Sequence, residues 1–340
     1  MNEEFLNTLG SIIGTATPLV IASLGETITE RAGVVNLSLD GSLALAAVTG
    51  FAAAWTAQEA GVLDLPAQIA VGIAAAMLVG ALIAVLVGFS SIKLRRDQVA
   101  VGFVLTLLAA DLARFLGADY TRIPGPQITR FAIPVLEDIP VLGIVLFQQN
   151  VLVYFSFILM FAIWFWLFRS KGGLALRAIG ERPEAAYARG APVQRLRYWY
   201  TFLGGALVGL AGAAYSLNVK PGWSSPPAMQ GDGWIALAIV IFGGWHPFRV
   251  VLGAYLFAAL RAISGYIQTN GLFIFGQEIS FPFVLLNTLP WLLMIVTLLI
   301  VSGGLTERLL QYMPRAVQRR LRAFLRSDPP RALGARFEAE

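Results

Sequence analysis

Cysteine is absent from this 340-residue chain, which rules out a disulfide framework and any thiolate metal site. Histidine occurs once, as His246 beside Pro247. A single imidazole with no thiol and no second histidine makes neither a metal site nor an acid–base pair, so the residue reads as structural. No lysine follows a glycine and no Gly-x-Ser-x-Gly run occurs; neither a Walker-type phosphate loop nor a nucleophile elbow can form. The sequence therefore points to no catalytic residue, no metal ligand and no cofactor held by this chain. Charge is scarce as well. Only 13% of residues are charged while 57% are hydrophobic, and mean hydropathy is +0.71, where a soluble domain carries roughly a quarter charged residues. The charges cluster and leave apolar runs of about 20 residues, the length a helix needs to cross a hydrocarbon core of about 30 Å.

These features give an all-α polytopic membrane protein. Apolar runs bounded by charges and Pro/Gly clusters fall at 8–24, 34–56, 67–89, 99–118, 151–168, 200–219, 233–246, 250–268 and 281–301, about nine transmembrane helices, within a range of eight to ten. The acidic start Met1-Asn2-Glu3-Glu4 is unlike a basic cleavable leader, so the first apolar segment is expected to be retained. The connections form two alternating sets. One holds Arg31, Lys93, Arg95, Arg96, the seven basic residues from Arg169 to Arg197, Arg249 and the arginines after residue 302, in all 20 of the 25 basic residues. The other holds Arg122, Arg130 and Lys220. Basic loops stay in the cytoplasm, which predicts an N-terminus outside and a C-terminus inside. Topology also accounts for the net charge of +5 without nucleic acid as a partner. Residues 1–303 read as one transmembrane domain and 304–340 as a basic cytoplasmic tail. The tail fits either an amphipathic helix on membrane lipid or a basic anchor that loses order after Asp328-Pro329-Pro330, and no transport role is read from it.

Two places depart from plain spanning helices. Segment 233–246 would rise only about 21 Å, short for a full crossing. The run from Glu30 to Gly41 sets polar groups and glycines at the entrance to a span, where a helix would have to be interrupted. The two places share a pattern, Asp40-Gly41-x-x-Ala44-Leu45-Ala46 and Asp232-Gly233-x-x-Ala236-Leu237-Ala238. In the predicted topology the copies enter the membrane from opposite sides, as the halves of an inverted repeat would. Asn36, Ser38, Asp40 and Asp232 are the candidate substrate-pathway residues, because an amide, a hydroxyl and carboxylates near membrane depth must face a cavity, a partner or the bundle interior. Asp40 reads equally as a brace for a broken helix. Asp111 and Arg114, three residues apart in one span, read as a structural ion pair, and Arg261 as snorkelling or paired with a partner the sequence does not identify.

The large basic connection, 169–199, contains Gly172 to Gly190. There Pro183 suits a first helical position, Glu184 the positive end of a helix dipole, and Gly190 a helix stop. Ala185 and Ala186 leave a face without bulk that a partner could grip. Composition and motifs leave transport, a channel or a scaffold open. Gly173, Leu174, Arg177, Ala178, Gly180, Ala185, Ala186 and Gly190 match the coupling-helix pattern of a family this chain resembles over nearly its whole length. That family is the permease subunits of ATP-binding-cassette importers for simple sugars, nucleosides and branched-chain amino acids. Glu30, Arg31, Gly33, Val34, Asn36 and Gly41 resemble the signature of its nucleoside-type branch, with Asp40 where a Glu and Ser38 where a Gly is usual. Gly233 to Ala238, followed by Phe242-Gly243, is also similar to that branch.

The resemblance implies a plasma-membrane (bacterial inner-membrane) importer half-channel for a small polar solute, a nucleoside first, with simple sugars, riboflavin or branched-chain amino acids as alternatives. Coupling to the ATPase would fall on Arg182, Pro183, Glu184, Ala185, Ala186 and Gly190. The partners implied are an ABC ATPase subunit that carries ATP and Mg, a second permease that is a paralogue, and an extracytoplasmic solute-binding protein. The rival of another class is an ion-coupled secondary transporter using Asp40 or Asp232.

Overall fold

The computed structural model describes residues 3–274, 277–279, 288, 291–293, 295, 296, 299, 314 and 329–335. Ten helices organise them: α1 Glu3–Arg31, α2 Leu39–Glu59, α3 Leu65–Ile92, α4 Gln98–Gly117, α5 Val151–Arg169, α6 Lys171–Glu181, α7 Pro183–Ala188, α8 Val193–Ala214, α9 Asp232–Gly243 and α10 Pro247–Asn270. Their starts are written in the sequence. Asp64, Asp97, Asn150 and Ser170 each accept a hydrogen bond from a backbone N–H in the first turn of α3, α4, α5 and α6 respectively, relieving donors that have no partner within the helix.

Seven helices among the described residues are long and apolar enough to cross a membrane. They correspond to seven of the nine anticipated spans. Segment 233–246 forms the short apolar helix α9, 12 residues, as its length required. The ninth, 281–301, lies largely outside the described residues, as does the tail apart from residues 314 and 329–335. Two small antiparallel ribbons depart from a purely helical chain. β1 Arg130–Ala132 pairs with β2 Gln148–Asn150, and β3 Leu272–Ile274 with β4 Gln277–Ile279, all in connections beyond the ends of helices, where backbone groups need partners from another strand.

The bundle is built around α1, α2 and α8, and small residues let the helices approach closely. A Cβ on Gly80 of α3 would lie 2.4 Å from the Gly205 carbonyl oxygen of α8, so these backbones touch directly, as small-residue interfaces in membranes do. Helix α4 instead turns much of its apolar side outward, with Val104, Leu108 and Phe115 exposed.

The contacts also fix relative directions. Ser23 of α1 donates to the Ala236 carbonyl of α9, and Arg31 at the end of α1 donates to the Trp245 carbonyl just beyond α9, so α1 and α9 run side by side in the same sense. Asp40, however, bonds the other end of α9, at Gly231 and Gly233. Residues 32–38 therefore run back along α9, which is about 18 Å long, before α2 begins at Leu39. The anticipated interruption is thus a non-helical stretch inside the bundle, and the second helix begins five residues later than the apolar run that starts at 34.

Candidate functional site

Non-helical backbone at membrane depth is tolerated where protein surrounds it and supplies hydrogen bonds. Both conditions hold for residues 32–38, which are buried or half-buried. Val34 N–H donates to the Thr29 carbonyl at 3.3 Å. Val35 N–H donates to Gln98 Oε1 at 2.8 Å, and Asn36 N–H to Glu26 Oε1 at 3.1 Å. Asn36 Oδ1 in turn accepts from Ser38 N–H at 3.2 Å and from the Ser38 hydroxyl at 2.5 Å, an Asx-type turn that delivers the chain into α2. Of the residues singled out from sequence, Asn36 and Ser38 thus lie inside this turn, 1% and 0% exposed. Glu26 and Gln98, which supply two of its acceptors, went unread. Their only signal was an uncompensated polar side chain within or at the edge of an apolar run.

Asp40 stands half-buried where α2 and α9 begin, its Oδ1 accepting from Gly231 N–H at 2.7 Å and Gly233 N–H at 3.1 Å. A carboxylate at a helix N-terminus meets both free donors and the positive end of the dipole. The approach demands glycine, since a Cβ at Gly233 would fall 2.2 Å from the Asp40 nitrogen. The two Asp-Gly repeats therefore meet each other at the starts of their helices.

Asp232 is 2% exposed and fully engaged. Arg261 of α10 donates Nη1 to its Oδ2 at 3.0 Å and Nη2 to its Oδ1 at 2.5 Å, and the Tyr215 hydroxyl donates to Oδ2 as well. A buried carboxylate tolerates low dielectric only when so compensated. This pair answers the open question of Arg261. Tyr215, the third member, carried no sequence signal.

Beside Asp40 opens a cavity of about 250 Å³ lined by Asp40, Ala44, Phe103, Thr106, Leu107, Ala110, Asp111, Arg114, Pro227, Gln230 and Trp234. Trp234 and Phe103 pack against each other in its wall, ring centroids 6.2 Å apart and tilted by 46°. Arg114 Nη1 and Asp111 Oδ1 form the expected ion pair at 2.8 Å, with side chains 43% and 74% exposed, so the pair fronts the cavity as well as bracing α4. The Thr106 hydroxyl accepts from Gly41 N–H at 3.2 Å and ties α4 to the start of α2. Of the four pathway candidates only Asp40 lines this cavity. Phe103 was invisible in sequence because an aromatic in an apolar helix carries no distinguishing pattern.

The second candidate site lies at the end of the bundle reached by Arg31. The anticipated short helix is α7, opened by Pro183 and followed by Gly190, whose N–H donates to the Tyr187 carbonyl at 2.8 Å. Before it, α6 is pressed against the end of α1: a Cβ on Gly180 would lie 2.1 Å from the Arg31 carbonyl oxygen. Arg177 lies over the Phe168 ring at 5.2 Å, and His246 stacks on the same ring, 5.2 Å between centroids. Burial, with the charges of Arg249 and Arg31 adding to it, holds the His246 pKa below its ordinary value. Pro183 and Ala186 are buried, whereas Arg182, Glu184, Ala185 and Gly190 are exposed. A groove of about 510 Å³ runs here, lined by Ala178, Glu181, Arg182, Ala185, Ala186, Arg189 and Arg331.

Comparison with known proteins gives the family. Residues 8–302 match the family described as branched-chain amino acid transport system, permease component. The chain is 34% identical over 259 residues to the Haloferax volcanii ABC transporter permease TsgC13, named for glucose, with 75% of this chain and 76% of that one covered. It is 34% identical over 260 residues to the guanosine ABC transporter permease NupQ of Bacillus subtilis, covering 73% and 79%. It is 32% identical over 269 residues to the nucleoside ABC transporter permease NupC of Lactococcus lactis, covering 76% and 83%. Among solved structures, an ABC transporter of metal-chelate type in an inward-facing conformation aligns over 86% of this chain and 85% of that one with a TM-score of 0.47 and 17% identity, too low for an argument from fold. A family match across most of the chain, on a bundle of seven membrane-length helices, shows that the chain belongs to the branched-chain amino acid transport system permease family and is the multi-pass plasma-membrane permease subunit of an ABC importer.

Proposed function

We propose that the solute is a nucleoside, and the observation that carries this reading is the cavity beside Asp40. Two aromatic rings, Trp234 and Phe103, pack against each other in its wall and offer a surface on which a base can stack, and base–aromatic stacking contributes about 1–3 kcal/mol per base. Asp111, Gln230 and Arg114 line the same space and supply the acceptors and donors that ribose hydroxyls and base edges require. Asp40 stands in the wall, Asn36 and Ser38 hold the turn that presents it, and Asp232 anchors the start of α9. The guanosine and nucleoside relatives favour this reading, while the relative named for glucose keeps a simple sugar as the alternative.

In this scheme a solute-binding protein delivers the nucleoside from outside, and access alternates as ATPase subunits, which carry ATP and Mg, close and open. Force enters through Arg182, Pro183, Glu184, Ala185, Ala186 and Gly190. The 20-to-3 basic bias supports a cytoplasmic position for that loop and an N-terminus outside. Counting α9 and segment 281–301, nine membrane segments make the half-channel, and a second permease, a paralogue, closes the cavity on its α4 side.

The test is reconstitution of the assembled importer in liposomes and ATP-dependent accumulation of labelled guanosine, challenged with unlabelled nucleosides, free base, ribose, glucose, riboflavin and leucine. Competition by nucleosides alone supports the proposal. Competition by glucose or ribose without the base would make the solute a sugar, and uptake that follows an ion gradient and ignores ATP would overturn the ATP-driven scheme.

A further inference from the structure

A short segment far from the bundle in sequence lies against the coupling loop. Residues 329–335 form a turn in which Pro330 and Ala332 are buried and Arg331 is exposed. Ala332 N–H donates to the Gly180 carbonyl at 2.9 Å, and Gly334 N–H donates to the Gly33 carbonyl at 3.1 Å. Arg197 of α8, 3% exposed, reaches the Ala335 carbonyl at 3.5 Å. Three elements are pinned at once: the end of α6, the stretch after α1, and the first turns of α8. The close fit at Gly180 extends to this segment, since a Cβ there would meet Pro330 Cβ at 3.5 Å after colliding with the Arg31 carbonyl oxygen.

The pinned turn has one side chain aimed elsewhere. Arg331 joins Arg182 and Arg189 along the groove beside α7, where Glu181 is the only carboxylate among the described lining residues and Ala185 and Ala186 leave room. Three guanidinium groups against one carboxylate make a groove whose charge complement is acidic, and guanidinium pairs carboxylates through two parallel hydrogen bonds.

We propose that residues 329–335 are a built part of the surface on which the ATPase docks. They latch the base of the coupling loop, and Arg331 completes a basic groove that receives an acidic side chain of the ATPase subunit. The proposal rests on reading residues 182–190 as the coupling segment. The latch also gives force entering at α7 a rigid path, because the end of α6, the entrance to the α1–α2 stretch and α8 are held by one turn rather than by separate loops.

The experiment co-expresses the full chain with its ATPase subunit and measures how much ATPase stays with each permease on purification. Variants are Arg331→Glu, Arg331→Lys, a chain ending at Asp328, and Ala185→Trp as a reference within α7. Arg331 and Ala185 are exposed, so both side-chain changes leave the bundle intact. Arg331→Glu is expected to retain about tenfold less ATPase, with Arg331→Lys close to wild type. Should the shortened chain fail to insert, Arg331→Glu decides alone. Wild-type retention by Arg331→Glu while Ala185→Trp loses the ATPase would overturn the role of 329–335 and leave the coupling segment standing. Loss with Arg331→Glu but not with Ala185→Trp would support the role of 329–335 and move the coupling site away from α7. Retention by both would overturn the two readings together.

Discussion

Single side chains decide whether the cavity beside Asp40 is a solute site. Replacing Trp234 with alanine removes one face of the aromatic pair without touching the Asp40 contacts to Gly231 and Gly233. The apparent KM for nucleoside uptake should rise about fivefold to 150-fold, from the roughly 1–3 kcal/mol that stacking contributes, while ATPase docking is unchanged; an unaltered KM would remove Trp234 from the solute path. His246 makes a separate prediction at the coupling end. Above a pH of about 6.5 the imidazole is neutral in folded and unfolded chains alike. As pH falls below that value, the unfolded chain takes up a proton that the folded one resists, because the ring is half-buried on Phe168 near Arg31 and Arg249. Stability therefore drops until the folded group also titrates. Thermal unfolding in detergent between about pH 8 and about pH 5 should fall less steeply for His246→Phe than for wild type, and identical slopes would mean that the ring is not held neutral.

The same carboxylate reads differently at the level of elements, where Asp40 is the cap of α9. Asp40→Ala leaves two backbone donors of α9 without their acceptor and should cost about 0.5–2 kcal/mol in stability. Asp40→Asn keeps an acceptor oxygen and should unfold close to wild type. Transport by Asp40→Asn then separates the roles: normal uptake leaves Asp40 a brace, whereas impaired uptake at wild-type stability gives its charge a part in the pathway. Elements of this kind were largely legible in sequence. Apolar length marked seven spans, whereas the caps Asp64, Asp97, Asn150 and Ser170 went unread. Pro183 and Gly190 bounded α7, and the Glu30–Gly41 run announced a break. What stayed hidden were relations between elements distant in sequence. Nothing local to Asp232 points to Arg261, 29 residues away, and nothing in Gln98 points to the Val35 amide. The cavity arises where the starts of α2 and α9 meet one side of α4, so of its lining only Asp40 was anticipated as a pathway residue. A non-helical stretch inside the membrane is equally a tertiary property, since its backbone is stable only with the acceptors that Glu26 and Gln98 bring.

At the scale of the whole molecule the question is which end faces the cytoplasm, and here charge pattern and geometry can be tested against each other. The fold separates the connections into two groups. The end of α1, the end of α3 and the start of α8 lie together, because Gly180 packs on Arg31, Gly33 on Arg197 and Gly88 on Thr201; α6 and α7 lie with them. The connection between α2 and α3 is at the opposite end of α3. Among the described residues the first group carries Arg31, Lys93, Arg95, Arg96 and the seven basic residues from Arg169 to Arg197, while the α2–α3 connection carries none, so the ATP-facing side should hold α7 and the turn that contains Arg331. Because the natural chain has no cysteine, single replacements report location without background. Val62 is 83% exposed in the α2–α3 connection, and Ala188 is exposed at the end of α7. A membrane-impermeant maleimide applied to intact cells should label Val62→Cys and spare Ala188→Cys until the membrane is opened. The reverse pattern would put the groove of Arg182, Arg189 and Arg331 on the side that has no ATPase, and the coupling scheme would fall with it, while the cavity between α2, α4 and α9 would remain a solute site in need of another source of drive.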